Sequence, residues 1–172
     1  NCVVLALSDG GVLVGEQRAS QLRCVLTMLV TGNIDVPGES TSVGAVSEGG
    51  NFTYNGMFSQ GEIDEYTSEF HGYLDEQKRL AFNRINRLIG EGGMIDEDLL
   101  RNRTIILVAD GFADGSIISV AIDYLKPIRV QRLVIAAAVA TVAAVDVLHV
   151  AADELHILDV KENFLGINHY FE

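Results

Sequence analysis

Between Thr104 and Ser116 the chain reads TIILVADGFADGS. Its first five residues, Thr104 to Val108, are apolar or β-branched without alternation. That pattern suits a strand covered on both faces. Ala109-Asp110-Gly111-Phe112-Ala113-Asp114-Gly115-Ser116 then breaks the run with small and acidic residues, and a helix is expected from about Ile117 to Leu125. Downstream, Leu133 to Val139 reads as a strand, Thr141 to Val150 as a helix and Leu155 to Val160 as a strand. The order β-α-β-α-β, with continuous apolar strands, predicts an α/β fold built on an open, mostly parallel sheet with helices on both faces.

The N-terminal stretch repeats the arrangement. Val3 to Leu7 (VVLAL) is a buried-strand pattern closed by Ser8-Asp9-Gly10-Gly11, and helical spacing follows from Gly11 to Leu22. Cys24 to Val30 reads as a further strand. The strands Val3–Leu7, Thr104–Val108 and Leu133–Val139 are expected to be neighbours, so that both glycine turns open on one edge of the sheet. Between these halves, Val43 to Val46 and Phe52 to Tyr54 suggest a hairpin around Gly49-Gly50. Gly61 to Ile89 predicts one long additional helix, with apolar residues three and four apart, acids near its start, bases near its end and Gly90 as a stop. Unbroken, it would extend about 40 Å. That length suits a helix that meets a second copy through Ile63, Tyr66, Phe70 and Tyr73, or one that kinks into the core.

The 172 residues suit a single domain spanning 1–172, and a content of 48% apolar and 21% charged residues excludes disorder. The chain opens inside a strand-like run at Asn1, so native residues are expected upstream. The formal net charge of −12 opposes binding to nucleic acid and to anionic lipid surfaces. The longest apolar stretch, Leu133 to Val145, is too short to span a bilayer. A cytoplasmic protein is the default. Cys2 and Cys24 lie in strand-like runs and read as a pair of buried thiols. His71, His149 and His156 have no metal-ligand spacing, so no metal-ligating residues are assigned. Glu48, in a loop of small residues, reads as a solvated acid or a substrate contact.

Ligands of open parallel sheets bind beyond the carboxyl ends of the strands. Two glycine-rich turns leading into helices offer backbone N–H groups and the positive ends of helix dipoles to an anion. A glycine turn alone is only a turn; two at equivalent places point to a phosphate-type ligand. The sequence contains neither GxxxxGK[ST] nor GxGxxG.

TIILVADGFADGS resembles the phosphoribosyl-pyrophosphate loop of the type I phosphoribosyltransferases. In that family four hydrophobic residues precede two acids, then Gly, a variable residue, Ala, Thr or Ser, and Gly. Ser8-Asp9-Gly10-Gly11 resembles the family's pyrophosphate turn, which in one uncharacterised subgroup reads Arg-Gly-Gly. Gly44 to Gly50 and Phe164 to Glu172 are similar to that subgroup as well. The resemblance implies transfer of phosphoribose from its pyrophosphate donor to a nitrogen base, with magnesium. It assigns Asp110, as the catalytic residue, to holding the ribose, and Gly111, Phe112, Ala113, Asp114, Gly115 and Ser116 to the 5′-phosphate. Ser8, Asp9, Gly10 and Gly11 go to the pyrophosphate.

Three positions depart from the pattern. Ala109 replaces the first acid, Asp114 replaces the hydroxyl residue, and Asp9 stands where the subgroup carries Arg. A carboxylate about 4 Å from a phosphate charge costs about 4 kcal/mol at an effective dielectric of about 20. The expectation is a phosphoribosyltransferase-like protein that binds phosphoribosyl pyrophosphate or a nucleotide 5′-phosphate with weakened or lost catalysis. The rival is a non-catalytic assembly or ligand-sensing protein. A homo-oligomer with a small phosphorylated ligand fits both.

Overall fold

The computed structural model describes residues 1–90 and 94–162. The similarity noted for Phe164 to Glu172 falls outside these residues. Five parallel strands form the main sheet: β1 (Cys2–Ala6), β2 (Val25–Met28), β6 (Thr104–Phe112), β7 (Arg132–Thr141) and β8 (Glu154–Lys161). Across the sheet their order is β2-β1-β6-β7-β8. β1 pairs with β6 through Val3↔Ile105 and Leu5↔Leu107, and β6 pairs with β7 through Ile105↔Leu133. The three expected strands are therefore neighbours, and their carboxyl ends share one edge.

Side-chain alternation explains why these strands read as continuous apolar runs. Val3, Leu5, Leu7, Ile105, Leu107, Ile135 and Ala137 face α4 (Ser116–Leu125) and α5 (Val142–Ala151), whose Ile118, Ala121, Leu125, Ala144 and Leu148 complete that cluster. Val4, Ala6 and Val108 point the other way, toward Ala19 and Val12 of α1 (Asp9–Leu22). With both faces covered, each central strand needs apolar residues at every position.

A second, antiparallel sheet of three strands lies over the carboxyl edge: β3 (Thr31–Ile34), β4 (Gly44–Ser47) and β5 (Phe52–Tyr54). β4 and β5 are the expected hairpin, and Gly50 turns the chain at φ +81°. The run 24–30 holds only β2; the chain then passes into β3 of the other sheet. The second sheet packs on α3 (His71–Ile89) through Ile34, Val36, Val46, Leu74, Ala81 and Ile85.

Two expectations need correction. The single helix over 61–89 is two helices, α2 (Gln60–Glu69) and α3, broken at Phe70 with φ −112° and ψ 20°. Phe70 and Tyr66 turn into the second cluster, and Gly72, two residues after the break, adds its weak helical preference. Half of the stripe assigned to a partner thus packs within the chain, while Tyr73 is exposed. The cysteines are not buried thiols. Cys2 and Cys24 are both half-exposed and joined as a disulfide, because the β1–β2 register, Val3↔Val25, sets them side by side with Cα atoms 5.5 Å apart. Among the described residues no helix is long and apolar enough to cross a membrane.

Candidate functional site

The two glycine-rich turns meet. Ser8, extended at φ −154°, caps α1: its Oγ accepts from the Gly11 amide at 2.9 Å and donates to Asp110 Oδ1 at 2.7 Å. Residues 102 positions apart are thereby tied at the carboxyl edge. A side chain on Gly10 would overlap the Asp110 carboxylate, and one on Gly11 would lie 2.7 Å from the Val108 carbonyl oxygen. Both glycines are what lets α1 start directly against β6. Asp9, Gly10 and Gly11 form the first turn of α1 rather than an open loop.

The loop after β6 is shorter than its sequence suggests. Gly111 and Phe112 continue the strand opposite Val139 and Ala140, and the Phe112 ring lies in the core. Only Ala113, Asp114 and Gly115 connect the strand to α4, which starts at the fully buried Ser116. Each of the three is held. Thr141 Oγ1 donates to the Ala113 carbonyl at 3.1 Å, and a side chain on Gly115 would lie 2.7 Å from Asn55 Oδ1.

Asp114 is the centre of this turn. Its Oδ1 accepts from the Ser116 amide at 2.8 Å and from Ser116 Oγ at 2.6 Å. Its Oδ2 accepts from the amide of Ser42, in the β3–β4 connection, at 3.2 Å. Ser42 is itself fixed, donating from Oγ to Asp35 at 2.6 Å and accepting at its carbonyl from Asn55 Nδ2 at 3.0 Å. A carboxylate of the chain thus occupies the positive end of α4, satisfying donors that an external anion would use.

Beside it lies a cavity of about 330 Å3 whose walls include Ser8, Asp9, Thr31, Asn33, Arg84 and Ile117. It is bounded by the starts of α1 and α4, by β3 and by α3. The turns were legible as glycine patterns. Ser42, Asn33 and Arg84 were not, because each arrives from an element whose approach to the edge is decided by packing of the second sheet.

Glu48 is not a solvated acid, although it borders a cavity of about 240 Å3. It is buried and accepts from the Val30 amide at 3.2 Å and the Ile95 amide at 2.7 Å, which fastens the hairpin to the segments on either side. Burial, followed by the carboxylates of Glu48 and Glu97, pushes the Tyr124 phenol up to about 12. His71 and His156 sit at the surface beside Asp75 and Glu154, and His149 is exposed on the last turn of α5.

Among the described residues no group of three or more His, Cys, Asp and Glu could hold a metal ion. Asp110, the acid that the resemblance assigns to the ribose, has one oxygen already engaged by Ser8. Among the described residues these side chains do not make a dedicated magnesium site.

No model of a known protein family matches the chain. Solved structures do. The chain is similar to TT1426 from Thermus thermophilus at 25% identity and a TM-score of 0.69, with 98% of this chain and 78% of that one covered. It is similar to the AQ2163 protein from Aquifex aeolicus at 11% identity and a TM-score of 0.54, covering 95% of this chain and 56% of that one. A purine phosphoribosyltransferase from Pyrococcus horikoshii matches at 12% identity and a TM-score of 0.51, over 94% of this chain and 73% of that one. The architecture is α/β, of the phosphoribosyltransferase type.

Proposed function

We propose that this chain is a phosphoribosyltransferase-like protein whose 5′-phosphate seat is filled by its own Asp114, so that transfer is weakened or lost. The observation that carries this reading is the set of three contacts from Asp114 to the Ser116 amide, Ser116 Oγ and the Ser42 amide. A phosphate entering there would have to displace a carboxylate from its hydrogen bonds or lie beside it, and both cost free energy. Ala109, buried beneath the carboxyl edge, leaves Asp110 as a single acid toward the ribose. Catalysis in this fold is electrostatic stabilisation of a leaving pyrophosphate and a cationic sugar, so loss of a clamp and a seat falls directly on the rate.

The second reading, a non-catalytic sensing or assembly protein, is favoured by the same contacts, since they make the α4 start rigid and self-sufficient. The test is calorimetric titration of phosphoribosyl pyrophosphate, with and without magnesium, into the native chain and into the variant Ala109→Asp, Asp114→Thr, Asp9→Arg. The expected result is no saturation of the native chain at micromolar donor and measurable binding to the variant. Micromolar binding by the native chain would overturn the reading. Binding by neither would leave a likeness of fold alone.

A further inference from the structure

We infer that one flank of α3 docks on the same flank of a second copy of this chain, antiparallel and with Leu80 at the two-fold axis. The inference does not depend on the contacts of Asp114.

The flank is set by what α3 buries. Leu74, Ala81 and Ile85 seat the helix on the second sheet, and Lys78 lies over the Phe52 ring on the same side. Gly32 of β3 makes the approach close, since a side chain there would lie 3.3 Å from the Ala81 methyl. With that face turned inward, helical spacing brings Tyr73, Leu80 and Leu88 into line on a flank beside it. They are 38%, 45% and 68% exposed. The helix has 19 residues and runs about 28 Å. Large apolar side chains in line over that length make the seam of a helix that packs on another helix.

Charge identifies what covers the seam. His71 to Gln77 carries Asp75 and Glu76 and no Lys or Arg; Lys78 to Ile89 carries Lys78, Arg79, Arg84 and Arg87 and no acid. Four of the chain's 12 bases thus fall in half of one helix, in a protein of formal net charge −12. Most of the surface repels a second copy, and this helix attracts one. Antiparallel pairing about Leu80 sets the acidic half of each helix against the basic half of the other, whereas parallel pairing sets like charges side by side. Glu76 then lies opposite Arg84 of the partner subunit. Tyr73 lies opposite Arg87 of the partner subunit, where a guanidinium can rest on the ring. Gly72 lies opposite Leu88 of the partner subunit, and a side chain on Gly72 would meet nothing within 4 Å, so the space over it is open to that leucine. Glu76 already accepts from Arg79 at 2.6 Å, but its side chain is half exposed and its remaining lone pairs can take a second guanidinium. The arrangement is self-complementary, as a two-fold interface requires. Arg84 and Leu88 also border the cavity of about 330 Å3, so the helix of the second copy forms part of the rim of the cleft.

The experiment is sedimentation equilibrium at micromolar concentration, joined to oxidative cross-linking. The proteins are the native chain, Leu80→Glu, Glu76→Arg, Arg84→Glu, the double variant Glu76→Arg, Arg84→Glu, and the cross-linking variants Leu80→Cys and Val150→Cys. The native chain should give the mass of two chains and Leu80→Glu that of one. Each single charge reversal should weaken the dimer about tenfold, because a symmetric dimer meets the change twice, and the double reversal should restore it. Leu80→Cys should form a disulfide-linked dimer and Val150→Cys should not, since Cys2 and Cys24 are joined to each other. Leu80 is half exposed, so Leu80→Glu should melt as the native chain does. If it does not, the charge reversals and the cross-link decide. A native monomer, a dimer of Leu80→Glu, or failure of the double reversal to restore association overturns the inference. Cross-linking through Val150→Cys but not through Leu80→Cys would overturn it too, by moving the contact between copies to α5.

Discussion

Asp110 and Asp114, four residues apart, serve opposite ends of the same edge. Asp110 faces the start of α1 and is gripped by Ser8; Asp114 turns back on the start of α4. The first contact makes Gly10 a sensitive position. Gly10→Ala should destabilise the chain by about 1–3 kcal/mol, the usual range for an overpacked site, read from urea midpoints. Asp110→Ala in that background should recover part of the loss, because the overlap is with the carboxylate itself. Additive losses in the double variant would refute this account. At this scale the sequence was informative about chemical type. Gly10, Gly11 and Asp110 could be picked out because glycine and acid beside an apolar strand are unusual. The use made of Asp114 could not be read, since its partner Ser42 lies 72 residues away and belongs to a different sheet.

α2 illustrates what decides an element when packing does not. None of its residues is buried, so its start depends on a capping box in which Glu62 accepts from the Ser59 amide at 2.7 Å while the Glu62 amide donates to Ser59 Oγ. The Ser59 hydroxyl and amide hold the Glu62 carboxyl below its ordinary value of 4.5. A carboxyl lowered in the folded state stabilises above its unfolded value and loses that contribution as pH falls through the folded one. Amides of α2 should therefore lose protection, measured against their intrinsic exchange rates, below about pH 4.5, and Ser59→Ala should abolish this dependence while costing the helix about 1 kcal/mol. Unchanged exchange across that range would argue against the cap. Periodicity foresaw helix across 61–89 but not the break at Phe70. The pattern of threes and fours is the same on both sides, and only the pull of Phe70 and Tyr66 into the second cluster separates the halves.

Over the whole molecule, the parallel sheet was the most legible feature, because strands buried on both faces leave uninterrupted apolar runs. The crossing from β2 into β3 left no comparable mark, and neither did the disulfide, which depends on the β1–β2 register. Cys2 and Cys24 are 22 residues apart. Closing a loop of that size stabilises by about 3 kcal/mol in the chain-entropy view. A reductant should lower the melting temperature of the native chain and leave that of Cys2→Ser, Cys24→Ser unchanged; an equal response from both would remove the bond from the account. Association of copies, expected from the sequence, stays a proposal with a new motive. The stripe on α2 and α3 is partly consumed inside the chain, whereas Val150 on α5 and Leu158 on β8 are 89% and 86% exposed. Light scattering at micromolar concentration should give a mass above that of one chain, and a clean monomer would end the idea.

The position of α4 has a consequence for how the molecule comes apart. One side of this helix supplies Ile118, Ala121 and Leu125 to the main cluster, while Asp123 accepts from Thr53 of β5 at 2.8 Å and Ser119 Oγ accepts from the Gly56 amide at 3.0 Å. Neither sheet can shed α4 without exposing a surface of the other, so neither sheet is an independent melting unit. A calorimetric scan should show a single endotherm whose van't Hoff and calorimetric enthalpies agree, and cutting the chain between the two sheets should yield fragments that regain cooperative melting only when mixed.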